Sequence, residues 1–219
     1  MILLHKKFLC LVPVYIVYIA VVQWITLFAC ARSGNSFLTQ AFTDKVYCYL
    51  LAPPFLMGIY FLDECMKKPA MIRIGNRRRA LLHLLAGQYL FAAVYLAGWF
   101  IMATLFAGGG GEDISAFGFP GKYMHCLCGL ILLVNCCELF KRLVGPATLA
   151  VPFGAGYIWL LLDVLMIPSM TNRFPFGPTV YLGIAWVFSA GWYSYGILAG
   201  WIVFTFILLL RRNERYDMF

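Results

Sequence analysis

Residues able to do chemistry are few in this 219-residue chain, and they do not gather into a recognisable constellation. His125, Cys126 and Cys128 fall within "HCLC", and Cys136 and Cys137 follow in the same apolar run. Imidazole and thiolate are the usual ligands of zinc. On a helix, however, positions 126 and 128 point about 200° apart, which makes a shared ion or a bridge between them awkward. The better reading is packing, because a free cysteine behaves as a small hydrophobe. Asp163, in "WLLLDVLMIP", is the one acid set well inside an apolar run. At that depth it marks a substrate path or pairs with a cation such as Arg173; if the run ends just after it, it sits among headgroups instead. Glu138 precedes Lys141 by three residues, the spacing of an ordinary pair on a helix surface. The segment "FAGGGGED" lacks the Gly-Lys-Ser/Thr ending of a phosphate-binding loop, and Ser189 in "FSAG" has no evident histidine partner. These features predict no catalytic residue, no metal site and no cofactor bound by this chain; if ATP drives it, a separate subunit binds the ATP and Mg.

The densest charge lies in "CMKKPAMIRIGNRRRALL", from Cys65 to Leu82. Lys67, Lys68, Arg73, Arg77, Arg78 and Arg79 crowd one short connection. Pro69 suits the first position of a helix, and Gly75 with Asn76 suits its end. Between them stand Met71, Ile72 and Ile74. The pattern predicts a short helical turn with apolar side chains in a basic rim. It serves either as an interfacial anchor on anionic headgroups or as a docking knob for a cytosolic partner, with Met71 and Ile72 as anchors.

The rest of the chain dictates where that connection sits. Hydrophobic residues make up 63%, charged residues 12%, and the mean hydropathy is +0.84. A soluble domain carries about a quarter charged residues, so this chain cannot cover a water-facing exterior. It reads as an integral membrane protein. The net charge of +8 does not point to nucleic acid, because the cations sit between apolar runs rather than on one face of a soluble fold. The first apolar run continues past the length of a signal peptide. A helical span needs about 20 apolar residues. Spans are expected at 8–30, 46–62, 80–106, 123–140, 147–167 and 191–210. The apolar stretch over 178–210 would measure about 50 Å as one helix, against a hydrocarbon core of about 30 Å. A re-entrant element over 178–190, before Gly191 in "FSAGWYSYG", followed by a full span, resolves the excess. The expected fold is therefore a single all-α transmembrane domain of six helices over 1–219.

Six spans put both termini on one side. That side then holds thirteen cations (Lys6, Lys7, Lys67, Lys68, Arg73, Arg77, Arg78, Arg79, Lys141, Arg142, Arg211, Arg212 and Arg215) and the other holds Arg32, Lys45, Lys122 and Arg173. The positive-inside rule places the crowded side, both termini and the 67–79 connection in the cytoplasm of a cell whose plasma membrane the chain spans. Tyr15, Tyr18, Trp24, Tyr47, Tyr49, Tyr123, Tyr157, Tyr193 and Tyr195 read as interfacial belts. Small residues in "AGQYLFAAVYLAG" allow close helix approach, within a bundle or a dimer.

Six spans with both ends inside, a basic loop with a short helix between the second and third, and a broken Gly/Pro-rich region near the fifth and sixth resemble the membrane subunit of an ABC-2-type exporter. "MIRIGNRRRALL" resembles a segment of the small peptide and lantibiotic exporters of Gram-positive bacteria. It departs from that pattern at Ile74 (an aromatic there), Asn76 (a serine) and Ala80 (a tryptophan). The resemblance implies a permease without enzymatic activity of its own. It also implies a coupling helix on Lys67, Lys68, Pro69, Met71, Ile72, Arg73, Arg77 and Arg78 that docks on an ATPase. Two ATPase copies and two permease copies, identical or different, would complete the exporter, which moves an amphipathic peptide or other hydrophobic cargo outward. Asp163 would then lie on the substrate path. A six-span ligand-binding component of a vitamin-type importer is the alternative. A lipid-modifying membrane enzyme would need acids or histidines clustered at one interface, and here they are dispersed.

The threading has a direct test. Protease added outside sealed cells is expected to spare Lys67 to Arg79, and cleavage there would invert the orientation.

Overall fold

The computed structural model describes residues 11–42, 46, 50–66, 77–114, 118–144 and 192–213, and among these the chain is helical, without a strand. Helix α1 is Leu11–Ser33, α2 is Phe37–Ala41, α3 is Ala52–Met66, α4 is Arg77–Gly109, α5 is Phe119–Val144 and α6 is Trp192–Asn213. Four of them, α1, α4, α5 and α6, are long and apolar enough to cross a membrane. Helix α3, with 15 residues, is about 22 Å long, short of the hydrocarbon thickness. A wider turn at Leu50–Leu51 leads into it. The expected span at 147–167, the re-entrant element at 178–190, Asp163 and the connection 67–76 lie outside the described residues.

At their C-terminal ends the helices overrun the predicted spans, whereas α3 begins at Ala52, past the expected start at 46. The third begins on Arg77, not after Arg79, and ends at Gly109. The fourth extends through Lys141 and Arg142 to Val144, and α6 continues through Arg211 and Arg212. The reason is physical. Charge marks where hydrocarbon stops, whereas a helix stops where its backbone bonding is interrupted. Helix α1 ends where Gly34, at φ +69°, donates its N–H to the Cys30 carbonyl at 2.9 Å, a left-handed cap. Helix α4 ends among its glycines, with Gly111 at φ +76°. Pro120 sits in the first turn of α5, where a missing N–H costs nothing.

Side-chain contacts fix the directions. Tyr15 reaches Pro54 and Tyr18 reaches Leu50, so α1 and α3 are antiparallel. Phe55 stacks on Phe91 and Tyr95 reaches Leu51, so α3 and α4 are antiparallel too. Tyr123 bonds to Ala93 while Gln88 bonds to Glu138, making α4 and α5 antiparallel. Tyr195 meets Gly121 and Asn213 meets Arg142, which makes α5 and α6 parallel. The ends of α3, α5 and α6 and the start of α4 thus share one end of the bundle. Of the nine described lysines and arginines, seven stand there (Arg77, Arg78, Arg79, Lys141, Arg142, Arg211 and Arg212); Arg32 and Lys122 stand at the other.

Close packing surrounds a defect in α3. Pro53 and Pro54 have no N–H, so the Leu50 carbonyl loses its helical donor. Inside a membrane an orphan carbonyl costs several kcal/mol, by the order of magnitude of such losses. Tyr18 donates its hydroxyl to that carbonyl at 2.7 Å. Tyr95 donates to Leu51 at 3.0 Å and Tyr15 to Pro54 at 2.9 Å. The rings of Tyr15, Phe55, Phe91 and Tyr95 pack together, with centroids 5.7–5.9 Å apart. Gly58 makes room for them: a Cβ there would land on the Phe91 ring and the Tyr15 hydroxyl. Tyr15 and Tyr18, expected in a belt, instead bond to the backbone of α3, whereas Trp24 on α1 is 62% exposed.

At the far end, Glu112 ties the α4–α5 turn to α2. Its carboxylate accepts the N–H groups of Phe37 and Leu38 and the Ser36 hydroxyl. Ser36 is itself the cap of α2.

Tyr18→Phe is expected to lower the unfolding free energy by about 1 kcal/mol, while Trp24→Phe leaves it unchanged. Reversible denaturation in mixed micelles measures both.

Candidate functional site: a buried charge network at the basic end

Helix α5 is the most enclosed of the four spans, and one face of it is polar. Asn135, Glu138 and Arg142 recur at intervals that return to the same side of a helix. Helices α3, α4 and α6 each contribute a partner at this end.

Glu138 is completely buried. One carboxylate oxygen accepts Gln88 Nε2 of α4 at 2.9 Å, and the other accepts Arg142 Nη1 one turn on. Arg142 also donates Nη1 to the Glu138 carbonyl at 3.0 Å and Nε to Asn213 Oδ1 of α6 at 3.4 Å. Lys141 reaches across to α3, where Nζ lies 2.9 and 2.8 Å from the two oxygens of Asp63, also completely buried. The same ammonium is 3.6 Å from Glu138 Oε2. Two acids and two bases make the quartet neutral, which is the condition for keeping charges out of water. A second layer lies deeper. Tyr89 of α4 donates to Asn135 Oδ1, and Asn135 Nδ2 donates to Thr205 of α6 at 3.1 Å. Hydrogen bonds of this kind hold helices together where lipid removes the hydrophobic driving force.

The Glu138–Lys141 pair predicted from spacing is present, but the picture of a solvated surface pair is corrected. Packing of α4 and α6 on both sides of α5 buries it, and the closer partners of Glu138 are Arg142 and Gln88. Asp63, just past the expected end of the second span, is the interhelical member. The signal was available: an acid in the last turn of one span and a lysine in the last turn of another fall at the same end of an even threading. Asn135 gave a second signal, as a lone amide inside an apolar run.

Of the residues predicted to contact an ATPase, Lys67, Lys68, Pro69, Met71, Ile72 and Arg73 lie outside the described residues, as does Asp163. Arg77 opens α4, and Arg78 is exposed in its first turn. Cys126, Cys136 and Cys137 are buried in the core and Cys128 is half-buried. Among the described residues, no group of three or more His, Cys, Asp and Glu side chains is placed to hold a metal ion. His125 is buried with its ring edge-on to Tyr195, at 5.5 Å between centroids, and neither ring nitrogen meets a partner among the described residues.

The quartet is built for cohesion rather than proton transfer, because cations and an amide already hold the carboxylate oxygens of Asp63 and Glu138. Glu138→Leu leaves two cations competing for one acid. It is expected to destabilise the protein by about 3–5 kcal/mol, read as a lower thermal midpoint in detergent.

No protein-family model matches the chain, and no curated protein or solved structure is significantly similar to it, so a functional reading stands on its own residues and their arrangement.

Proposed function

We propose that the chain is the permease subunit of an ATP-driven exporter, six spans with both termini in the cytoplasm of a plasma membrane. It moves an amphipathic peptide or other hydrophobic molecule outward, and a separate ATPase subunit hydrolyses the ATP. The observation that carries this reading is the position of the basic connection. Met66 and Arg77, its two flanking residues, stand at the bundle end that holds seven of the nine described cations. The connection between them therefore starts and finishes on the side that the positive-inside rule assigns to the cytoplasm. A docking element for a cytosolic motor has to be there.

The helix directions support the six-span count. Val144 and Trp192 lie at opposite ends of two parallel helices, so the intervening chain has to return the full height of the bundle. A span at 147–167 would do this. Motion of the ATPase copies would enter through Pro69 to Arg78 and act on the helices as rigid bodies.

Affinity purification of the tagged chain in mild detergent is expected to bring down an ATPase subunit. Met71→Asp combined with Ile72→Asp should remove it while the chain stays folded. An intact complex with that double variant would sink the docking site. A purified monomer with a tightly held small molecule and no ATPase would favour the vitamin-importer reading instead.

A further inference from the structure

Helix α6 keeps one face open, with Val203, Phe204 and Ile207 exposed on it. Among the described residues, Ile197, Gly200, Trp201 and Phe204 line an apolar groove of about 350 Å³ there. Gly200 leaves the groove open, since a Cβ at that position would meet nothing within 4 Å. The rings of Trp201 and Phe204 stand beside it edge-to-face, with centroids 5.6 Å apart. Two exposed arginines, Arg211 and Arg212, occupy the last turn of the same helix at the basic end. Neither meets an acid among the described residues. At about 100° per residue, Arg211 returns to within about 20° of Gly200, and Arg212 to within about 20° of Trp201. Both arginines therefore stand in line with the groove. At about 1.5 Å per residue, Phe204 lies about 10 Å and Gly200 about 16 Å below Arg211. One leaflet of the hydrocarbon core is about 15 Å deep, so the groove sits at the depth of acyl chains whose headgroups are level with the arginines.

We propose that the groove and the two arginines together bind one anionic phospholipid from the leaflet at the basic end. Its phosphate lies against Arg211 and Arg212, whose planar guanidinium forks match phosphate oxygens. An acyl chain runs from there along Phe204 and Trp201 to Gly200. Charge decides for a lipid over a second copy of this chain. Gly196 and Gly200 have the four-residue spacing of a helix-pairing face, and a Cβ at either would meet open space. A parallel copy seated on that face would bring the arginines of the two chains together, and like charges in apposition are costly. A phosphate in the same place neutralises them. A zwitterionic lipid fills the groove as well but brings no net negative charge to its end. The proposal rests on the apolar spans and is independent of the exporter reading.

The test uses the full chain in nanodiscs of equal phosphatidylcholine and phosphatidylglycerol, with photoreactive benzoylphenylalanine in place of Phe204. After illumination, intact-mass spectrometry counts the adducts. Those with the mass of phosphatidylglycerol should outnumber those of phosphatidylcholine by about fivefold. Arg211→Gln combined with Arg212→Gln should bring the two lipids to parity. Its thermal midpoint should stay that of wild type, because both side chains are exposed. Gly200→Leu keeps the arginines but fills the groove, and should lower the total lipid adduct about threefold. Parity in the chain with both arginines would overturn the proposal, as would an unchanged yield with Gly200→Leu. So would a crosslinked pair of chains, which makes the face a self-association surface, or an internal crosslink without added mass, which means that the chain covers its own groove. The exporter reading is decided separately by co-purification of an ATPase, and a negative result there leaves the adduct ratio unaffected.

Discussion

Glu138 and Arg142, one turn apart on α5, set the constraint that the rest of the bundle has to meet. Both are buried, and neither can be left without partners where water is excluded. A pair on one helix would satisfy itself only in part. The guanidinium has five donors and the carboxylate four acceptor positions, more than the two groups can exchange between themselves. Gln88 from α4 and Asn213 from α6 fill part of that capacity, and Lys141 adds a second cation that calls in turn for Asp63 from α3. One charged face on one helix therefore recruits three others, each at a defined height. Apolar side chains could pack in many registers; this set of donors and acceptors admits few. A buried polar network that specifies an arrangement rather than adding raw stability is a known use of such groups.

The other half of the bundle applies the same rule to the backbone. Two adjacent prolines in α3 free a carbonyl, and three tyrosines from α1 and α4 bond to the carbonyls in and just before that turn. The aromatic cluster around Phe91 then follows from the need to bring those hydroxyls into place. In both halves, cohesion comes from polar groups that lipid cannot satisfy, with apolar packing closing around them. Helix α4 carries residues of both sets, Tyr95 toward α3 and Gln88 and Tyr89 toward α5, and so joins them.

This explains what could be read from the chain and what could not. Membrane residence and four of the spans follow from hydropathy, because hydrocarbon demands long apolar helices whatever their neighbours. Helix ends were missed by several residues, since Arg77 to Arg79 and Lys141 to Arg142 signal the water boundary and leave the hydrogen-bond ladder uninterrupted. Tyr15 and Tyr18 read as belt residues because composition cannot show that an opposing helix lacks donors. Glu138 read as a surface residue because the spacing to Lys141 is local, whereas its burial depends on how α4 and α6 meet α5. The buried quartet was legible only in part: its residues are conspicuous, but their pairing is tertiary. The short capped helix α2 gave no apolar periodicity long enough to register.

The two halves differ in the groups that close them. Around Pro53 and Pro54 the bonds run from a side chain to a fixed carbonyl, and a Cβ at Gly58 would already collide with Phe91. Withdrawal of α3 there leaves a carbonyl bare in lipid, with no alternative donor supplied by its own helix. At the basic end the partners are charged side chains from different helices, and Lys141 lies 2.8 Å from Asp63 and 3.6 Å from Glu138. Helix α3 carries one contact of each kind, tyrosine-bonded carbonyls at its start and the Asp63–Lys141 ion pair in its last turn, so polar groups that lipid cannot satisfy define both of its ends.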